Sequence, residues 1–219
     1  MLALNNIIQK IRLAEKNAHR QPGDVSLLAV SKKQSSDKIR EVFNAGQKCF
    51  AENYVQEAIE KQNALCDLNI EWHFIGTIQS NKTKLIAEHF DWVHSVNRLS
   101  IAEKLNHHRA SNKKPLNICI EVNIDIEQTK SGVLPQDVFE LAKNIAALKH
   151  LKLRGLMVIP EKNNLGAFQK TAQLQQQLIN NGFLLDTLSM GMSADFEAAI
   201  QAGSTIVRIG TAIFGERGL

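Results

Sequence analysis

Cysteine is scarce in this chain of 219 residues, and the few cysteines present show no pairing pattern. Cys49, Cys66 and Cys119 are odd in number and far apart, and no C-x-x-C pair occurs. This pattern excludes the disulfide framework of a small secreted domain and the usual spacing of a structural zinc site. We therefore expect free thiols, no metal site and a cytoplasmic location.

Long apolar runs and a strong excess of one charge are also lacking. Residues 1–20 predict an amphipathic helix, because Leu4, Ile7 and Ile11 recur at helical spacing among polar residues that rule out a signal peptide. No run reaches the roughly 18 apolar residues of a membrane span. The 26 basic and 22 acidic residues give a net charge of +4, and no run of Lys or Arg exceeds two residues. We expect neither a membrane nor a nucleic acid as partner.

What the sequence does contain is a regular alternation of short β-branched runs with segments of helical periodicity. The predicted strands cover residues 26–31, 48–53, 71–76, 92–96, 117–123, 153–159, 187–191 and 205–210. Eight strands alternating with helices, after a leading helix, predict a single (β/α)8 TIM barrel over residues 1–219. An open doubly wound sheet is the structural alternative, since a count of strands does not show closure.

In such a barrel, the chemistry lies where the strands end and the following loops begin. Lys32 follows the apolar run 27–30. An apolar wall at this point would desolvate its ammonium group, lower its pKa and free the amine to form a Schiff base. The alternative is an ordinary surface lysine in a loop that already contains Lys33.

Two strand ends near the C-terminus have the composition of a phosphate site. Ser193 is predicted to cap a helix that begins near Ala194, and Gly210 and Thr211 supply amides and a hydroxyl after the eighth strand. A phosphate held between strands seven and eight recurs in barrels of this type. The alternatives are that Ser193 only caps its helix and that Gly210 only turns the chain.

Arg208 has the same parity as Ile206 and Gly210 in the eighth predicted strand. If its side chain points inward, the buried guanidinium needs an acceptor, either an internal carboxylate in a structural ion pair or a ligand. Opposite a pyridine nitrogen it would leave the ring unprotonated, because a guanidinium does not readily give up a proton.

Seven blocks of sequence resemble the signature blocks of the YggS/PROSC family, whose barrel is similar to the N-terminal domain of alanine racemases. The blocks are LLAVSK (27–32), ENYVQE (52–57), EWHFIGTIQSNK (71–82), KSG (130–132), RGLMVIP (154–160), SMGMSADFEAAI (189–200) and GSTIVRIGTAIFGER (203–217). The resemblance covers nearly the whole chain. It implies a TIM barrel that binds pyridoxal 5'-phosphate (PLP) as a Schiff base with a lysine and acts in PLP homeostasis.

Carried over by position, the resemblance makes Lys32 the Schiff-base lysine and Arg208 the partner of the pyridine nitrogen. It also assigns the rest of the pocket, with the phosphate at Ser193, Gly210 and Thr211, with Met192 beside the phosphate, and with Asn53 and His73 lining the pocket.

The chain departs from the family pattern at two places. The family often reads S-K-T-K-P at its lysine, whereas residues 31–35 read SKKQS, so Gln34 replaces a second lysine and any role in cofactor exchange is weakened or shifts to Lys33. Ala51 replaces the first residue of the familiar G-E-N-Y, a change that should not alter the pocket. Lys130 matches another family lysine implicated in PLP handling, with a solvated loop cation as the alternative.

Three function classes are therefore considered. The first is a non-catalytic PLP-binding protein that buffers the cofactor or delivers it to apo-PLP enzymes, and so influences amino- and keto-acid balance. The others are a PLP-dependent, racemase-like enzyme and a PLP-independent barrel enzyme that binds a phosphate. Racemisation needs acid and base groups on both faces of a carbanion. In true alanine racemases one of these groups is a tyrosine that a second domain contributes. The length of this chain leaves no room for such a domain, and Tyr54 is its only tyrosine. We favour the non-enzyme, which is compatible with a weak side activity.

Overall fold

Eight short strands alternate with helices in the computed structural model of the chain, which describes residues 2–109, 113–162 and 164–215. The strands are β1 Ser26–Val30, β2 Cys49–Glu52, β3 Glu71–Phe74, β4 Trp92–Val96, β5 Leu116–Glu121, β6 Leu151–Met157, β7 Thr187–Ser189 and β8 Ile206–Ile209. The helices are α1 Leu2–Asn17, α2 Ser36–Asn44, α3 Val55–Ala64, α4 Thr83–His89, α5 Leu99–His108, α6 Val138–Ala146, α7 Gly166–Asn180, α8 Phe196–Gln201 and α9 Thr211–Phe214. Both ends of the predicted 1–219 domain, Met1 and residues 216–219, lie outside the described residues.

The sheet closes into a barrel in chain order. Every neighbouring pair of strands is parallel, and β8 pairs with β1, so that Leu28 lies opposite Arg208. The closure confirms the predicted TIM barrel and rules out the open doubly wound sheet. Observed strands match the predicted ones with ends displaced by at most two residues, as for β6, which begins at Leu151.

The predicted N-terminal amphipathic helix is confirmed as α1, which ends at Asn17. Its apolar face buries Leu4, Ile7 and Ile11, and the helix packs against α8 and α9 on the outside of the barrel. Burying three such side chains stabilises the fold by roughly 1.5–3 kcal/mol each. Among the described residues, no helix combines the length and apolarity needed to cross a membrane.

Apolar residues on the outer faces of the strands join the helices in the main core, whereas the inner faces form separate small clusters. Leu28, Ala51 and Ile206 make one such cluster, and Trp92, Cys119 and Met157 make another. Because strand partners in register point to the same face, Arg208 opposite Leu28 and His73 opposite Ala51 also face the barrel interior. The interior is therefore polar as well as apolar.

Candidate functional site

A cavity opens at the end of the barrel where the strands terminate. It is lined by Val30, Lys32, Gln34, Asn53, Ile75, Ile159, Met192, Ser193, Arg208, Gly210, Thr211 and Gly215. The strand-end rule and the resemblance had singled out seven of these, namely Lys32, Asn53, Met192, Ser193, Arg208, Gly210 and Thr211. The structure thus brings together in one cavity residues that are up to 179 positions apart in the chain (Lys32 to Thr211). His73, the eighth, is not among the lining residues.

Lys32 lies in a loop whose backbone is fixed by hydrogen bonds on both sides of the lysine. The Ser31 backbone N–H donates to the Ala51 carbonyl at 2.9 Å, and its hydroxyl donates to Oε1 of Glu52 at 2.7 Å. On the other side of Lys32, the N–H of Lys33 donates to the Glu57 carboxylate, while Lys33 itself adopts a left-handed backbone with φ of 61°. The half-buried Lys32 is therefore presented to the cavity by a fixed backbone.

A buried ammonium group holds this support together. Nζ of Lys61, on α3, donates to the Ser31 carbonyl at 2.8 Å, to Glu52 at 2.7 Å and to Glu57 at 2.6 Å. Burial raises the pKa of Glu52, and the neighbouring Lys61 opposes that rise. Lys61 was not predicted to belong to the site, because a lysine inside a helix is normally solvated. The signal in the sequence is the E-x₄-E spacing of Glu52 and Glu57 in ENYVQE.

Arg208 is 4% exposed and is held by oxygen atoms of the protein rather than by a carboxylate. Nη1 donates to the carbonyl and hydroxyl oxygens of Ser189 at 2.5 and 2.8 Å, and Nη2 donates to the Val158 carbonyl at 2.9 Å. Burial lowers the pKa of Arg208 to about 10. Arg208 forms no ion pair with any residue that the structure describes, so the structural ion pair considered from the sequence is not observed there.

Asn53 lines the same cavity and also a second one. Its Oδ1 atom is buried and has no hydrogen-bond partner among the described residues. A buried polar atom without a partner costs about 1–3 kcal/mol, which a hydrogen bond to a ligand would recover. Its backbone is packed closely against Gly76, where an added Cβ would meet the Asn53 carbonyl oxygen at 2.1 Å. Asn53 therefore fits a pocket that is completed by a hydrogen-bonding ligand.

The predicted phosphate residues lie together at the exposed rim of the cavity, but one detail of the prediction is wrong. Helix α8 begins at Phe196 with Asp195 at the N-cap, and Asp195 accepts a hydrogen bond from the Met192 amide at 2.6 Å. Ser193 is therefore in the turn before the helix and does not cap it. Gly210 lies against β1, where an added Cβ would approach the Val30 carbonyl oxygen to 2.9 Å, and so any larger residue would be crowded.

His73 lies inside the barrel below the cavity. Its ring stacks on Trp92, with the ring centres 5.3 Å apart, and its two nitrogens contact His94 and Glu71, each at 2.9 Å. Burial lowers the pKa of His73. His73 does not line the cavity and is linked to it through His94, Ser189 and Arg208. The prediction that it contacts bound PLP therefore stays a prediction.

At the end of the barrel opposite the cavity, His73 is one of three side chains that lie close together and can each bind a metal ion. One donor atom each from Cys49, Glu71 and His73 lies within 4.8 Å of the others. However, burial raises the pKa of the Cys49 thiol to about 12, and the His73 nitrogen is engaged by the Glu71 carboxylate. We interpret the group as a hydrogen-bonded cluster.

The three residues that the resemblance connects with cofactor exchange or PLP handling, Lys33, Gln34 and Lys130, lie in different places. Gln34 lines the cavity, and Lys33 is exposed beside it. Nζ of Lys130 contacts Asp125 at 3.0 Å and Glu127 at 3.1 Å, and the side chain is 26% exposed, so this loop cation is ion-paired as well as partly solvated. Asp125 also accepts hydrogen bonds from Glu161 and Asn164, which ties the loops after β5 and β6 to each other.

A model of the family described as "Alanine racemase, N-terminal domain" matches residues 2–218. The chain belongs to this family. Curated relatives include proteins of Vibrio alginolyticus and Escherichia coli K12, both called "Pyridoxal phosphate homeostasis protein". The first is 52% identical over 223 residues, which cover 98% of this chain and 96% of the relative; the second is 46% identical over 222 residues, with 98% and 95% coverage. The resemblance seen in the seven sequence blocks is confirmed.

Solved structures give the same result for the fold. PipY of Synechococcus elongatus, a structure with PLP bound, superposes with a TM-score of 0.83 at 37% identity and covers 93% of this chain and 98% of PipY. An alanine racemase of Clostridium difficile superposes with a TM-score of 0.75 at 14% identity, over 95% of this chain and 56% of the racemase. The racemase likeness shows a shared barrel and no more.

Proposed function

We propose that the chain is a non-catalytic PLP-binding protein of PLP homeostasis, in which Lys32 holds PLP as a Schiff base at the mouth of the barrel. One observation carries the proposal: a single cavity is lined by Lys32, by the buried Arg208 and by Asn53, whose buried Oδ1 atom has no hydrogen-bond partner among the described residues. A rim of small polar residues completes the cavity. The amine matches the aldehyde of PLP, the guanidinium matches the pyridine nitrogen, and the polar rim matches the phosphate. The PLP-bound structure of the 37% identical PipY supports PLP as the ligand.

The covalent link needs only the amine of Lys32. Uncharged Nζ adds to the aldehyde carbon, and a C=N bond forms as water leaves with the aldehyde oxygen and the two amine hydrogens. The reverse addition of water returns the free aldehyde. Such a link holds the cofactor without consuming it, as a carrier requires.

The other residues bind and orient PLP. Ser193 and Thr211 can donate hydroxyl hydrogens to the phosphate beside Gly210, with Met192 adjacent to it. Arg208 would donate to the pyridine nitrogen through an N–H group that is not hydrogen-bonded to Ser189 or Val158. Because the guanidinium retains its proton, the ring nitrogen would remain an acceptor, and the ring would withdraw electrons weakly.

The scarcity of proton-exchanging groups supports a carrier rather than a racemase. Among the described residues that line the cavity, Lys32 and Arg208 are the ionisable ones, and an arginine is a poor general acid. Tyr54 is 53% exposed and lines a different cavity, which it shares with Gln79 and Lys82. A second acid–base group opposite Lys32, which racemisation requires, is not among these lining residues.

The recipients that we propose are apo-PLP enzymes, and the effect on the cell is a change in amino- and keto-acid balance. We propose a cytoplasmic location, supported by three free cysteines, two of which, Cys49 and Cys66, are not fully buried. The cavity rim is open enough for exchange, since Met192 is 38% exposed and Ser193 and Thr211 are exposed as well.

The test mixes PLP-loaded protein with an apo-aminotransferase and follows the recovery of aminotransferase activity, while D-alanine formation from L-alanine is assayed separately. We expect transfer, and racemisation no faster than with free PLP. Lys170→Ala, which alters an exposed lysine on α7 that does not line the cavity, serves as the control and should behave as wild type. D-alanine formation that is lost on Lys32→Ala would contradict the non-enzyme proposal, and failure to transfer would contradict the carrier proposal.

A further inference from the structure

A series of four hydrogen bonds runs through the barrel interior from the cavity to the opposite end. Nη1 of Arg208 donates to Oγ of Ser189 at 2.8 Å, and this hydroxyl lies 2.8 Å from Nδ1 of His94. Nε2 of His94 is 2.9 Å from Nδ1 of His73, whose Nε2 is 2.9 Å from Oε1 of Glu71. Glu71 is the only half-exposed member; the other four are at most 4% exposed.

The chemistry of the two ends fixes the direction of every bond in this series. Arg208 can only donate, and ionised Glu71 can only accept. The hydrogen bond from His73 lowers the pKa of Glu71, and burial lowers the pKa of both histidines, so the carboxylate is charged and the imidazoles are neutral.

One set of tautomers then satisfies all four bonds. His73 must carry its proton on Nε2 to donate to Glu71, so its Nδ1 accepts from Nε2–H of His94. Nδ1 of His94 therefore accepts as well, and the Ser189 hydroxyl must donate to it. With its hydrogen committed to His94, the Ser189 oxygen directs its lone pairs at Arg208.

We propose that His94 and Ser189, oriented by His73 and Glu71, are positioning residues that aim the Arg208 guanidinium at the ring nitrogen of PLP. Three acceptor contacts, to Ser189 O, Ser189 Oγ and Val158 O, use three of the five N–H donors of Arg208 and fix its plane. The remaining donors can then reach a ligand in the cavity. The inference rests on the proposed PLP function and gives His73 a role through Arg208 instead of through direct contact.

The test compares PLP with 1-deazapyridoxal 5'-phosphate, in which a C–H group replaces the ring nitrogen. The measured quantity is the ratio of the two dissociation constants, because a general loss of structure weakens both ligands and leaves the ratio unchanged. In wild-type protein we expect PLP to bind on the order of 10- to 100-fold more tightly, the value of one charge-assisted hydrogen bond.

Ser189→Ala and His94→Phe should each reduce this preference by about tenfold, since a misdirected Arg208 loses its hydrogen bond to the ring nitrogen. Ser189→Thr keeps the hydroxyl and should keep the preference. Ser204→Ala is the matched control, because the Ser204 hydroxyl is also buried but, within the described part of the chain, its partners are the carbonyls of Leu188, Met190 and Ile206. It should also keep the preference.

Thermal melts identify the folded variants, and borohydride reduction shows whether PLP is attached to Lys32 in each. An undiminished preference in both Ser189→Ala and His94→Phe, with PLP attached at Lys32, would overturn the inference while leaving the proposed function intact. Equal affinity of the wild type for the two ligands would overturn it too. Wild-type protein that does not bind PLP at Lys32 would instead refute the proposed function.

Discussion

At the scale of single residues, the cavity is distinguished by polar side chains whose hydrogen-bonding capacity the protein does not fully use. Arg208 donates to three oxygen atoms of Ser189 and Val158, which leaves N–H groups available, and Oδ1 of Asn53 is buried without a partner among the described residues. Buried polar groups of this kind are normally paired, so their remaining capacity indicates a polar ligand. In the proposed complex the ring and the phosphate of PLP would be recognised by different residues, so their contributions can be measured separately.

The phosphate subsite predicts a strong preference for PLP over pyridoxal, which lacks the phosphate. Loss of two or three charge-assisted hydrogen bonds, at roughly 1.5–3 kcal/mol each, should weaken binding by about two orders of magnitude or more. Equilibrium dialysis of both ligands measures the ratio. Thr211→Ala combined with Ser193→Ala should reduce the preference, and Ser204→Ala should not. Equal affinities of the wild type for both ligands would remove the phosphate site from the account.

At the scale of elements, the support beneath Lys32 depends on α3 being tied to β1 and β2 by Lys61. Lys61 is 6% exposed and Glu52 is fully buried, so the pair has little access to water. Removing one partner of a buried ion pair leaves the other charge uncompensated and costs about 3–5 kcal/mol. Lys61→Met should lower the free energy of unfolding by about this amount, as measured by urea denaturation.

Two controls test the origin of that loss. Glu52→Gln added to Lys61→Met removes the stranded charge and should restore much of the stability. Arg40→Met breaks the pair with Asp67 on the exposed surface and should have a much smaller effect. If the double variant is less stable than Lys61→Met alone, the loss arises from packing and not from the Glu52 charge.

The same pair predicts a pH dependence with a definite sign. The pKa of Glu52 is raised in the folded state, and removal of Lys61 raises it further. The folded variant therefore binds this proton more tightly than the unfolded chain, so the ionised carboxylate lowers stability at neutral pH and protonation relieves that cost as the pH falls. The gap between wild type and Lys61→Met should narrow from pH 8 to pH 5 in urea titrations. A gap that widens toward low pH would show that the sign is wrong.

Element order was predictable from the sequence, but finer features of the elements were not. Short strands with many β-branched residues, such as 205–210, stood out because both faces of each strand are covered. The start of α8 was misplaced, because Ser193 and Asp195 are both good N-cap residues and only the tertiary turn at Met192 selects Asp195. A local pattern could not make that choice.

At the scale of the whole molecule, barrel closure places strand ends from all parts of the chain around one mouth. This is why a rule about strand ends found Lys32 in the first quarter of the chain and Ser193, Gly210 and Thr211 in the last. The rule could not find Ser189, His94 or Lys61, since their roles depend on side-chain contacts across the interior. The single-domain organisation over residues 1–219 remains a prediction.

The central claim is that this barrel holds PLP through Lys32, and borohydride reduction followed by peptide mass spectrometry tests it most directly. Reduction converts the C=N bond into a stable amine, so the modified residue can be read from the fragment masses. We predict a pyridoxyl phosphate group on Lys32 in wild-type protein and in Lys33→Ala. A folded Lys32→Ala variant should lack both this group and the visible absorbance of the bound cofactor. Modification of another lysine at full occupancy in the wild type, or a normal adduct in Lys32→Ala, would contradict the account.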